Sequence, residues 1–145
     1  MRLNTQFTVA VHVLAILVFF KDDPQNSEGM ALSVGTNPVV IRRILAQLKK
    51  AGIVSTHSGI KGAQLCKNPR DISLLDIYNA VRSQEDRLFD MHKNPHPQCP
   101  IGAYILDTTR EPLLAAQKAF EDSLASYTLY QVLKPMSEKN GLEIE

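Results

Sequence analysis

Residues 36–66 read TNPVVIRRILAQLKKAGIVSTHSGIKGAQLC, and this stretch decides the fold. Asn37 suits a helix N-cap and Pro38 the first helical position, where its missing amide costs nothing. From Pro38, Ile41, Ile44, Leu45 and Leu48 recur at helical spacing, which predicts a helix to Ala51 closed by Gly52. Val39, Arg43, Ala46 and Lys50 fall on the opposite face, with Arg42 and Lys49 to one side and Val40 and Gln47 to the other. Ile53–His57 and Ala63–Cys66 then read as strands joined by the two-glycine turn Ser58-Gly59-Ile60-Lys61-Gly62.

Working outward, Gly35 ends a short helix that begins at Asn26 or Ser27, so two helices are separated by a tight turn at Thr36 and Asn37. Before them, Val9–Phe20 is apolar except for His12. The run resembles a secretory leader, but it lacks a small-residue cleavage site and is too short to span a bilayer, so a buried first helix is the better reading. After the hairpin, Ser73 caps a helix with Leu74, Ile77, Tyr78 and Val81 on one face. A polar, proline-bearing loop over Ser83–Gln98 follows. A long helical region from about Pro100 to Ser126 is expected to kink or break at Pro112. One more short turn is expected at Leu129–Leu133, with a frayed tail after Pro135.

Helix, glycine turn, helix and glycine-tipped hairpin make a winged helix-turn-helix: a mainly α fold with a small β-hairpin and a long C-terminal dimerisation helix. The winged unit covers 1–82, a sensor loop 83–99, a dimerisation region 100–133 and a tail 134–145. Charge supports the same reading. The net charge is +1, yet no Asp or Glu occurs from Gly29 to Arg70, a stretch that holds Arg42, Arg43, Lys49, Lys50, Lys61, Lys67 and Arg70. The rest of the chain is net acidic, and such asymmetry is the footprint of a phosphate-binding face. A helix entering the major groove exposes small or polar side chains near its N-terminus. The candidate DNA contacts are therefore Thr36, Asn37, Val39, Val40, Arg42, Arg43, Lys49 and Lys50, with Ser58, Gly59 and Lys61 on the wing.

Four segments resemble the Rrf2 family of bacterial transcriptional regulators. They are Met1-Arg2-Leu3 with Phe7 and Ala10; Ile44-Leu45 with Leu48 to Val54; Ser58-Gly59 with Gly62-Ala63; and Ile72-Ser73-Leu74-Leu75-Asp76-Ile77. Together they run from Met1 to about Leu133. The resemblance implies a homodimer joined through the long helix, here through Leu113, Phe120 and Leu124, with each subunit reading half of a palindromic operator in double-stranded DNA. A small-molecule or oxidant effector is the implied signal. Many members hold an iron–sulfur cluster through three cysteines in the loop before the long helix. This chain has only Cys99 there, so no cofactor is expected. His92, His96 and Cys99 have metal-compatible spacing but lack a fourth ligand. Cys99 is the candidate redox sensor, because a helix N-terminus at Pro100 and a protonated His96 would favour its thiolate; some cluster-less relatives switch through cysteine oxidation. Cys66 reads as a small core residue. Two cysteines make no disulfide scaffold, so a reducing cytoplasm is expected.

An enzyme is not indicated: no nucleophile has a base at plausible spacing and no glycine loop is placed to cradle phosphate. The competing function is a winged-helix protein-interaction module that binds no DNA, which would call for an apolar outward face on the third helix.

Overall fold

The computed structural model describes residues 5–56, 62–83 and 88–144. Helix α1 (Thr5–Phe19) is apolar on nearly every side and buries Ala10, Val13, Leu14, Ala15, Ile16 and Leu17. Because so little of it can face water, the other elements wrap it: α1 packs on α2 (Ser27–Val34), α3 (Pro38–Lys50), α4 (Leu74–Val81) and strand β2 (Ala63–Leu65). Met30, Ile41, Ile44, Leu48, Ile53, Val54, Ile72, Ile77 and Val81 complete this core, which α6 (Leu129–Asn140) closes with Leu129 and Leu133. Strand β1 (Val54–Thr56) pairs antiparallel with β2 in the register Val54–Leu65, Ser55–Gln64 and Thr56–Ala63. The molecule is thus mostly helical with a two-stranded sheet, as the sequence pattern anticipates.

Two departures concern prolines. Helix α5 (Ile105–Ala125) begins five residues later than Pro100 and runs through Pro112 without a break. Helix α6 likewise passes Pro135 and ends only at Asn140, where Gly141 caps it at φ 73°. The expected one-turn helix with a frayed tail is therefore a 12-residue helix. Among the described residues no helix is long and apolar enough to cross a membrane.

The start of α6 is fixed by the start of α4. Ser73 and Thr128 face each other across an isolated antiparallel bridge. The Leu74 amide donates to Tyr127 O at 2.9 Å and the Leu129 amide to Ile72 O at 2.8 Å. Each helix also opens on a capping box, Ser73 with Asp76 and Thr128 with Gln131, so further amides that the first turn would leave unpaired find acceptors. Removing one cap leaves its amide unpaired beside the buried Leu129. Thr128→Ala is expected to lower the unfolding free energy by about 1 kcal/mol, and Thr128→Ser by much less. Urea denaturation monitored by circular dichroism measures both.

Candidate nucleic-acid interface

Local geometry aims α3 outward. The amides of Gly35 and Thr36 both donate to Ala31 O, at 2.9 and 3.0 Å, and Gly35 takes the left-handed conformation at φ 81° that ends α2. The chain can then turn at once, and Asn37 Oδ1 caps α3 by accepting from the Val40 amide at 3.1 Å. Asn37 is exposed, while Thr36 is half-buried in the turn.

Ile41, Ile44 and Leu48 fix the inward side of α3. The outward side presents Val39, 66% exposed, with Arg42, Arg43, Ala46, Lys49 and Lys50. Val40 does not belong to it: it is partly buried against the core, because 100° of helical rotation from Val39 carries it toward the protein side. Gln47 is half-buried on that flank, and its Oε1 is buried without a hydrogen-bond partner. The two arginines are held from behind. Arg42 Nη2 lies 2.9 Å from Glu28 Oε1 on α2. Arg43 Nη2 donates at 3.1 Å to the Gln6 amide oxygen, with the Gln6 amide oriented so that its nitrogen donates to Val81 O at 3.2 Å. Sequence reasoning missed Glu28, which lies one residue before the acid-free stretch; its place in the first turn of α2 was the available signal. Ser58, Gly59 and Lys61 lie outside the described residues.

On α5 no residue is fully buried. Phe120 packs edge-on against Tyr78 of its own chain, with ring centroids 5.4 Å apart, and Tyr78 in turn meets Phe7 at 6.0 Å. Leu113 and Leu124 are half-buried, and the most exposed large apolar side chain of the helix is Leu114, at 62%.

The environment of Cys99 differs from expectation. It lies six residues before α5, in a separate turn in which the Ala103 amide donates to Cys99 O at 2.9 Å and the Ile105 amide to Ile101 O at 2.9 Å. The thiol is pulled below the ordinary range by the backbone amide of Gly102 first and of Ile101 second, with desolvation opposing weakly. Neither the α5 N-terminus nor a charged His96 supplies this. His96 Nδ1 accepts from the Gln98 amide at 3.1 Å, and His96 O accepts from the Cys99 amide at 3.2 Å. Cys66, expected in the core, is exposed at the end of β2. Among the described residues no three His, Cys, Asp or Glu side chains converge as metal ligands. Two separate cysteines and a histidine committed to a backbone amide do not fit a cluster.

Gly102 sits directly on the His96 carbonyl oxygen, so any Cβ there would collide with backbone. Gly102→Ala is expected to open the turn and withdraw the amide that favours the thiolate. Iodoacetamide labelling of Cys99 below pH 8 should slow severalfold, while Cys66 labelling stays as in the wild type.

The chain is similar to known proteins over almost its whole length. A family model described as Rrf2, iron-dependent transcriptional regulator, matches residues 3–135. YwnA of Bacillus subtilis strain 168, classed by its name among HTH-type transcriptional regulators, is 44% identical over 131 residues, covering 90% of this chain and 96% of that one. A crystal structure described as that of a DNA binding protein is 39% identical, with a TM-score of 0.74 over 88% of this chain and 98% of the other. The structure of CymR, the global cysteine regulator of B. subtilis, has a TM-score of 0.67 at 17% identity, covering 92% and 97%, and at that identity speaks for the fold alone.

Proposed function

The chain belongs to the Rrf2 family of transcriptional regulators, and from that premise we propose that it is a homodimeric repressor that reads a palindromic operator with α3 and responds to oxidants through Cys99. The observation that carries the DNA reading is the outward side of α3. Its small centre at Val39 and Ala46 lets the helix sit deep in a major groove, and Arg42, Arg43, Lys49 and Lys50 flank that centre. A protein-docking module would need an apolar stripe there, and Val39 and Ala46 are the lone apolar side chains among these six. The wing residues Ser58, Gly59 and Lys61 would follow the adjacent backbone. Two exposed free cysteines suit a reducing cytoplasm.

The dimer is supported by α5, a 21-residue helix of which its own chain fully buries nothing. Leu113 and Leu124 are half-covered and Leu114 is open to a partner. Because Phe120 already packs on Tyr78, its contribution would be to shape that surface as much as to enter it. Two α3 helices carried by one dimer would meet half-sites about one DNA turn apart.

Sensing would begin with the Cys99 thiolate attacking a hydroperoxide. The peroxide O–O bond breaks, sulfur takes up the terminal hydroxyl and is oxidised to sulfenic acid, and the leaving oxygen departs as hydroxide or alkoxide. A small cellular thiol then condenses with the sulfenic acid, giving a mixed disulfide and water.

Neutralised phosphates release counterions, so affinity for a promoter duplex should fall steeply between 50 and 200 mM salt, by on the order of 10²-fold or more. Fluorescence anisotropy measures this, and a flat response would remove the DNA reading. Mild peroxide with glutathione should change the DNA affinity of the wild type and leave Cys99→Ser unaffected. Equal responses of the two proteins would exclude Cys99 as the sensor while leaving DNA binding intact.

A further inference from the structure

The Arg42–Glu28 pair joins the two helices of the DNA-reading unit at 2.9 Å, with side chains 56% and 61% exposed. An exposed pair of this kind adds little to folding stability, so its consequence lies in geometry. Glu28 is well anchored for such a task. It stands in the first turn of α2, where the helix dipole favours a carboxylate, just after the cap that Asn26 makes to the Gly29 amide at 2.8 Å. Arg42 stands just over one turn into α3, beside Val39 and Ala46 on the outward side. The bond engages a single nitrogen, Nη2, so the remaining guanidinium donors are not spent on Glu28.

An arginine that reads guanine must present two N–H groups in the plane of O6 and N7. A guanidinium without support surrenders the freedom of a long side chain to do so, and it can equally settle on any phosphate nearby. A carboxylate fixed on one edge changes both. It restricts the guanidinium beforehand to orientations that keep Nη2 on Glu28, and its negative charge opposes a competing phosphate at the same place while leaving an uncharged base edge acceptable.

Taking α3 as the DNA-reading helix, we propose that Glu28 is a positioning residue for base recognition: it buttresses Arg42 toward a guanine in each half-site and withholds it from non-specific backbone contact. Glu28 touches no base in this arrangement. It acts through Arg42, and its effect is on discrimination more than on total affinity.

The test begins with duplexes that the wild-type protein selects from a randomised pool. Affinities for a selected and a scrambled duplex are then compared at one salt concentration for the wild type, Glu28→Gln, Arg42→Ala and the double variant. Glu28→Gln keeps the size of the side chain and removes its charge. It is expected to lower the ratio of selected to scrambled affinity by about fivefold, largely through tighter scrambled binding, and to flatten the preference at one guanine. Arg42→Ala is expected to lose preference at that same guanine, and in its background Glu28→Gln should no longer change the ratio. An unchanged ratio in Glu28→Gln overturns the proposal. So does an equal Glu28→Gln effect with and without Arg42, which would mark general charge repulsion. Should the wild type enrich no sequence, the DNA reading itself falls and this role with it.

Discussion

The whole fold depends on the burial of α1. Val13, Leu14, Ile16 and Leu17 each remove a large apolar side chain from water, roughly 1.5–3 kcal/mol apiece for complete burial. A helix apolar all round leaves its neighbours no choice but to enclose it, and α2, α3, α4 and β2 do so. His12 is the polar exception within the run, and it is used: its Nε2 lies 2.9 Å from Ser33 Oγ, tying α1 to α2. Among the described residues the core holds no fully buried polar or charged residue. Burial of that kind is non-directional, so it sets the compactness of the molecule without setting the orientation of its parts.

Orientation comes from the chain's punctuation. Gly35, Asn37 and the Ser73 cap each direct a helix end through specific amides. These features rest on local sequence, which is why the α2–α3 turn, the outward side of α3 and the Ser73 cap were readable from residue order. The Arg42–Glu28 and Arg43–Gln6 contacts were not, because they join residues distant along the chain and depend on how α1, α2 and α3 pack. Val40 shows the limit of a helical wheel. Position on the wheel placed it at a boundary, and only the neighbouring core decided that it faces inward. Cys66 erred in the other direction, since alternation along so short a strand does not persist past its last paired residue.

The prolines make a related point. In a helix interior proline removes one hydrogen bond and crowds the preceding turn, which argues for a break at Pro112 and Pro135. Both helices continue because the affected carbonyls belong to Thr108 and Gln131, and these residues, like the two prolines, are exposed. Water can take the place of the missing amide there, so the penalty falls below what the rest of each helix gains. Exposure, which sequence alone reports poorly for single positions, therefore decides whether a proline ends a helix.

The proposed sensor and the proposed dimer helix are linked by the same backbone logic. The turn that polarises Cys99 is not a loop merely leading into α5. Cys99 O, Ile101 O and the amides of Ala103, Tyr104 and Ile105 form a continuous set of bonds that hands directly to the first turn of α5. A Cβ at Gly102 would strike the His96 carbonyl, so the backbone of that turn is closely packed, while the Cys99 thiol itself is exposed. A neutral adduct on sulfur would weaken the pull of the Gly102 and Ile101 amides, and Ile101 is bonded in turn to Ile105. Because α5 lacks a fully buried residue, little in its own chain resists a shift of its first turn. A helix so weakly held within one subunit is well suited to pass a change at Cys99 to the spacing of two α3 helices across a dimer.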